Sequence, residues 1–252
     1  MQARINRLLV AAIAVAGFLT LSPRASAELL TLQLDSTVTG TMTVTLGTKT
    51  DNVTPGPFHW TDVNDPTNPN FQAPISTFCI ELNGQTPHVG DQYTFSVLPL
   101  DDPHTTIGTT DKADAIKSLF GNFYNSAWSN PSFTGDTDSK AFQLALWELI
   151  YETDPTKTLG SGNFSSTSSA AARADQMLAG LAGGLTAYNN GGYEVVALVA
   201  PSLDPLKSTP GQDQIAVRPK GVPAPPGVML AGIGVLALLG RARWTRRPQA
   251  AA

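Results

Sequence analysis

The stretch AFQLALWELIYE, residues 141–152, constrains the fold more than any other part of the chain. It reads as one helix, with Phe142, Leu144, Leu146 and Trp147 making it apolar on nearly every side, and a helix of that kind is buried rather than laid along a surface. Gln143 sits among these residues. A primary amide taken out of water costs a few kcal/mol unless its hydrogen bonds are replaced. Either Gln143 has partners inside the fold, or its side-chain carbonyl has a chemical task.

The segments before this helix read as strands. LLTLQLD (29–35) and VTGTMTVTLG (38–47) alternate apolar and polar residues and are rich in Val and Thr, which predicts an antiparallel pair. The stretch TDNVTPGPFHWTDVNDPTNPNFQAP (50–74) is dense in Pro, Asn and Asp and reads as a long loop. ISTFCIEL (75–82) and QYTFSVLPL (92–100) predict two more strands joined across NGQTPHVGD.

From Asp111 the period changes. Ala113, Ile116, Leu119, Phe120 and Phe123 fall on one helical stripe. The helix around Gln143 follows, with Asp138 or Ser139 expected as its N-cap. GSGNFSSTSS (160–169) reads as a flexible loop, and a third, small-residue helix begins near Ala170. GYEVVALVAP and DQIAVRP return to strand character. Strands, helices, then strands predict an α+β fold: an antiparallel β-sandwich or barrel-like sheet with an inserted helical section.

Both ends of the chain read as targeting or membrane segments. Residues 1–27 carry Arg4 and Arg7, an apolar run from Leu8 to Leu21, and Ala25-Ser26-Ala27, the order of a secretory signal peptide cleaved after Ala27. The exported domain is expected over 28–217. Residues 218–252 form a Pro-rich tether, a short apolar run from Gly227 to Gly240, and then Arg241, Arg243, Arg246 and Arg247. As a helix that run spans roughly 21 Å, short of a hydrocarbon core of roughly 30 Å. Trp244 and the arginine side chains extend it at the interface and hold the cluster on the cytoplasmic side as a membrane stop.

This tail resembles the sorting tail of bacterial PEP-CTERM proteins. Val222-Pro223-Ala224-Pro225 takes the place of the family tetrapeptide, with Ala224 where glutamate is usual. The resemblance implies recognition by an exosortase-type processing protease, transient anchoring in the inner membrane, and release to the cell surface or the extracellular biofilm matrix. It is an address and carries no activity.

Residues 28–220 hold nine Lys and Arg against 20 Asp and Glu, a net charge near −11. A phosphate-backbone partner is therefore not expected, and nucleic acid is excluded on charge. Nothing in the sequence demands a cofactor. His59, His88 and His104 are read as loop residues without metal-ligand spacing. DVNDPTNPN and TGDTDSK offer oxygen atoms to Ca²⁺ but lack the full loop pattern, and turn or cap duty suits them better. No nucleophile elbow, phosphate loop or glycosidase-type carboxylate pair is present, so a turnover enzyme is not expected.

The chain has a single cysteine, Cys79. In an exported protein it forms no internal disulfide, so it is a buried inert thiol, an intermolecular link or a reactive group. Alternation along TFCIEL places Phe78, Ile80 and Leu82 on one face, and Cys79 on the other with Thr77 and Glu81. A thiolate is a nucleophile and an amide carbonyl is an acyl centre. Attack of Cys79 Sγ on the Gln143 side-chain carbon, with loss of ammonia, gives an internal thioester.

Phe78-Cys79-Ile80 and Gln143-Leu144-Ala145-Leu146-Trp147 together resemble the Cys-Gln thioester domains of bacterial surface adhesins. Their signatures are an aromatic-Cys-aliphatic strand and a Gln-x-Ala-aliphatic-Trp helix. Phe142 stands where threonine is common, and Leu146 where isoleucine is frequent. The resemblance implies a thioester that forms autocatalytically, is shielded by Phe78 and Trp147, and is opened once by an amine on a surface protein or matrix sugar.

The bond closes a loop of 64 residues, worth roughly 4 kcal/mol in the chain-entropy model for a disulfide of that length. Glu81 and Glu148 are expected to be solvated carboxylates, with proton handling as the alternative. Against the adhesin stands a non-catalytic structural protein of the envelope or exopolysaccharide matrix, with Cys79 in the core and Gln143 simply hydrogen-bonded.

Overall fold

The computed structural model describes residues 28–71, 74–82, 86–152, 158–160, 162–181, 193–200 and 211–220. The predicted signal peptide, the tetrapeptide and the arginine-flanked tail lie outside them. No helix among the described residues is long and apolar enough to cross a membrane.

Nine strands are described: β1 (Glu28–Thr37), β2 (Met42–Leu46), β3 (Lys49–Val53), β4 (Phe58–Asp62), β5 (Ile75–Cys79), β6 (Gln92–Leu98), β7 (Phe164–Ser166), β8 (Tyr193–Val199) and β9 (Gln214–Pro219). Six close into an antiparallel barrel in the order β1-β4-β5-β9-β8-β6, while β3-β2-β7 form a separate three-stranded sheet. The helices α1 (Thr110–Phe123), α2 (Thr137–Tyr151) and α3 (Ala171–Leu181) are inserted between β6 and β8. The expected mixed architecture is therefore a barrel with an inserted helical section.

Several local expectations are corrected. The first two predicted strands do not pair with each other: β1 lies between β4 and β6 in the barrel, and β2 between β3 and β7. The chain leaves the barrel after β1, where the Thr39 backbone N–H and hydroxyl both bond to the Thr134 carbonyl and Gly40 takes a φ of 95° that favours glycine. The expected strands at 75–79 and 92–98 follow each other in the chain, and within the barrel β4 and β9 flank the first of them. The Pro- and Asn-rich stretch contains most of β3 and all of β4, and the Gly/Ser-rich stretch contains β7. His59 is thus a buried strand residue, with Nδ1 3.1 Å from the Ser36 hydroxyl and Nε2 2.7 Å from the Trp128 carbonyl.

Helix α2 starts earlier than expected. Asp136 is its N-cap, accepting the Ser139 N–H, while the Ser139 hydroxyl receives the Asp136 N–H. This reciprocal pair satisfies two end groups of the helix and is worth about 1 kcal/mol. Every residue from Ala141 to Ile150 is buried, as the all-round apolar sequence requires. The helix packs on α1, α3 and β7.

Strand β5 is buried along its whole length. Thr77 accepts the Trp60 indole N–H and donates to Gln214 Oε1, whereas the neighbouring Phe78 ring meets Phe120, Trp128 and Phe142 at centroid distances of 6.3, 5.8 and 4.8 Å. Successive side chains of a strand point to opposite faces. One face of β5 therefore meets the aromatic helix layer, and the other, carrying Thr77 and Cys79, is covered as well.

Candidate functional site

The described residues bring Cys79 and Gln143 together. Cys79 is the last residue of β5, and Gln143 comes from α2, 64 residues later. The Gln143 amide binds the backbone of Cys79 at both atoms: Oε1 accepts the Cys79 N–H at 3.2 Å, and Nε2 donates to the Cys79 carbonyl at 2.8 Å. Oε1 also accepts the Gly56 N–H at 3.3 Å.

The register of the sheet explains this arrangement. β4 and β5 pair as Phe58 with Thr77, His59 with Ser76 and Trp60 with Ile75. Continuing that register by two residues sets Gly56, just before the start of β4, opposite Cys79. The amide of Gln143 fills the opened ladder there and acts as one rung of a missing strand.

Such an approach requires glycine at position 56. A Cβ there would lie 2.8 Å from Gln143 Oε1 and 2.7 Å from the Phe78 ring, closer than side-chain carbons tolerate without displacement. The Phe78 ring is thus one wall of the site, backed by Phe142, Trp128 and Phe120. Trp147 is buried, and its ring faces Phe164 at 6.2 Å, on the side of α2 that meets β7.

Two N–H groups on one carbonyl oxygen draw electron density from the carbonyl carbon. They also sit where negative charge would develop if that carbon became tetrahedral. Cys79, which supplies one of these N–H groups, also carries the thiol that such a step needs. Cys79 is 1 % exposed, and its Sγ donates to the Glu81 carbonyl at 2.8 Å. Burial, with the negative fields of Glu81 and Asp213, holds its thiol well above the usual range. The thiol is therefore protonated in the folded chain and needs a proton acceptor before it attacks.

Carboxyl groups lie close to it. Glu81 is not a free surface carboxylate: its Oε2 accepts the Asp213 N–H at 3.0 Å and its Oε1 the Thr106 hydroxyl at 3.3 Å. The Thr106 hydroxyl is also 3.4 Å from Asp213 Oδ2, and Asp213 Oδ1 accepts the Ala200 N–H at 2.8 Å. Burial first, and then Glu81, push the Asp213 carboxyl up to about 7. Tyr151 closes the strand end, donating to the Ile80 carbonyl and accepting the Leu82 N–H. Glu148, expected in solvent, is instead fully buried on α2.

Sequence reasoning missed Gly56, Thr106 and Asp213. The signal for Gly56 is its place between two prolines in TPGP, which marks a tight turn but not its neighbour across the ladder. Nothing in the sequence marks Asp213, which is 132 residues from Glu81.

Elsewhere, polar groups have structural duties. Asp62 accepts the N–H groups of Asn64 and Asp65, Asp65 accepts that of Thr67, and Asp138 pairs with Arg173. His88 and His104 lie beside Asp91 and Asp102 respectively. Among the described residues no cluster of three or more His, Cys, Asp or Glu side chains forms a metal site. Comparison of the chain with protein-family models, with curated proteins and with solved structures finds no match.

Proposed function

We propose that the exported chain is a cell-surface or biofilm-matrix protein that forms an internal thioester between Cys79 and Gln143 and uses it once, as a covalent adhesin. The observation that carries this reading is the seat of the Gln143 carbonyl oxygen on the N–H groups of Gly56 and Cys79, beside the chain's single cysteine. In the forming step the thiol proton leaves Sγ, Sγ bonds to the Gln143 Cδ, and the carbonyl electrons move to Oε1. The C–N bond then breaks and Nε2 departs, with the proton, as ammonia. A partner amine later attacks the same carbon, an amide bond forms, and the electron pair of the breaking C–S bond returns to Cys79. Each chain reacts once, so the protein is not a turnover enzyme.

The chemistry needs no cofactor. The address read from the termini supports export, exosortase-type processing at Val222–Pro225, and passage through a membrane-anchored stage before the surface or matrix is reached. The buried site suits a bond that must outlast exposure to water on the way.

A second reading has its own observation. Nε2 of Gln143 and Sγ of Cys79 both have carbonyl acceptors, as they would in an unreacted clasp inside a structural matrix protein. The mass of the folded chain separates the two. The thioester form is lighter by one ammonia than Cys79→Ala and Gln143→Ala controls account for, and methylamine converts that deficit into a gain. Full mass with a titratable thiol in fresh, unheated protein supports the matrix protein instead.

A further inference from the structure

We propose that Glu81 and Asp213 form the proton-transfer pair of the thioester site, carrying the Cys79 proton to the leaving ammonia and later receiving a proton from the attacking partner, which binds as a primary ammonium. This inference rests on the thioester reading and adds the groups that move its protons.

The geometry starts from the thiol. Its hydrogen is directed at the Glu81 main-chain carbonyl, so the sulfur faces the residue that bears the first carboxyl. Glu81 lies two positions along the chain from Cys79, just past the end of β5, and its main chain turns back to meet the thiol. Thr106, from the loop after β6, bridges that carboxyl to Asp213 at the start of β9. The Asp213 N–H donates to Glu81 and the Ala200 N–H, at the end of β8, donates to Asp213. Gln212 Nε2 reaches the same Glu81 carbonyl that the thiol uses.

The groups facing Asp213 are thus Cys79 at the end of β5, Glu81 just after it, Thr106 from the loop, Ala200 just after β8 and Tyr151 from α2, a half-buried phenol that also lies in the field of Glu81 and Asp213. No lysine or arginine contacts the two carboxyl groups among the described residues. A local excess of negative charge of this kind draws a cation. The ionisation of Asp213 near neutral pH suits a group that both takes and returns a proton.

The protons balance in each direction. On formation, the carboxylate pair takes the Sγ proton, Sγ bonds to Cδ, and the pair returns the proton to Nε2 as ammonia leaves. On opening, an ammonium nitrogen loses two protons and gains a bond to Cδ. One proton stays on the pair, the other reaches Sγ as the C–S bond breaks, and the pair then releases its proton to water.

The test is the rate at which methylamine opens the thioester of the full chain, followed by intact mass from pH 5 to 9. If the pair deprotonates a bound ammonium, the rate rises with pH up to about 7 and then levels. Asp213→Asn is expected to react at least tenfold more slowly at pH 7 and to lose the plateau. Its rate then climbs with the free-amine fraction towards the amine's own pKa, near 10 on the lysine scale. Glu81→Gln, which keeps an acceptor for the Asp213 N–H, is expected to behave similarly.

A wild-type rate that keeps climbing past pH 7, or an Asp213→Asn chain with the wild-type rate and profile, overturns the pair and leaves the thioester standing. The wild-type profile decides the matter even if neither variant folds. A wild-type chain with no ammonia deficit overturns the thioester and the pair together.

Discussion

Helix α2 reaches two different sheets with the same device, and only one of the two contacts has a nucleophile beside it. On its barrel side, Gln143 takes the backbone N–H groups of Cys79 and Gly56. At its end, Glu152 takes the backbone N–H of Phe164 at the start of β7. Each contact is made at a glycine that leaves no room for a Cβ: one at Gly56 would lie 2.8 Å from Gln143 Oε1, and one at Gly162 would overlap the Glu152 carboxylate. The comparison teaches that a buried polar side chain ending a strand ladder is ordinary construction in this fold. What sets the barrel-side contact apart is its chemistry, since its acceptor is an acyl group and its strand ends on Cys79.

The largest expected difference comes from removing the two side chains. Gln143→Ala leaves the N–H groups of Gly56 and Cys79 and the Cys79 carbonyl without their partner and forbids the cross-link, so it should cost about 5 kcal/mol or more. Glu152→Ala strands one N–H group and should cost roughly 1–3 kcal/mol. Urea unfolding of the two variants measures this ratio, and equal costs would break the comparison.

Next comes the bond itself. Cys79→Ser disturbs little packing but would remove the loop closure of the proposed thioester, 64 residues long, and should then lower stability by about 4 kcal/mol. Methylamine-treated wild type should fall by a similar amount. A loss under about 1 kcal/mol for both would leave only the non-covalent clasp.

The glycines give the sharpest contrast for a smaller energy. Gly56→Ala overpacks a buried site, and Gly162→Ala, at an exposed position, crowds the buried Glu152 carboxylate; each should cost about 1–3 kcal/mol. Only Gly56→Ala should also abolish the ammonia deficit in the intact mass, because it displaces the carbonyl from its two donors. Loss of the deficit in both variants would point to general destabilisation.

The smallest effect is a slope with pH. The Asp213 carboxyl holds its proton more tightly in the folded chain than an ordinary carboxyl does. Its contribution to stability is therefore complete below about pH 4 and is lost as the pH rises through about 7. Wild type should lose on the order of 1–2 kcal/mol across that window relative to Asp213→Asn. Denaturant titrations at pH 4 and pH 7.5 measure the difference, and parallel behaviour of the two chains would argue against a carboxyl held neutral by its surroundings.

The helical section was the most legible part of the sequence, because α1 and α2 announce themselves by an apolar stripe and by an all-round apolar surface. The long alternating strands β1, β6 and β8 were legible for the same reason of period. β3, β4 and β7 were not: they are three to five residues long and sit among Pro, Gly, Asn and Ser, and although β3 forms a tight hairpin with β2, β7 finds its partner β2 far back in the chain. The pairing of β1 with β4 and β6, rather than with β2, was hidden too, since alternation fixes which face a residue uses but not which strand lies alongside.

The site divides in the same way. Cys79 and Gln143 stood out because each is chemically odd where it stands, a single thiol in the whole sequence and an amide on an apolar helix. Gly56 and Asp213 are ordinary residues in their local sequence. Their importance arises from closeness across the ladder and across the mouth of β5, which no local pattern encodes.

The account stands on a covalent bond, and the most direct measurement of that bond is the intact mass of the full chain, fresh and unheated, before and after methylamine, beside Cys79→Ala processed in the same way. The account predicts a wild-type mass lower by one ammonia than its sequence gives, no free thiol, and, after methylamine, the mass of one added amine with one thiol released. A wild-type mass equal to that of its sequence, with Cys79 titrating as a free thiol once unfolded and methylamine adding nothing, would falsify it.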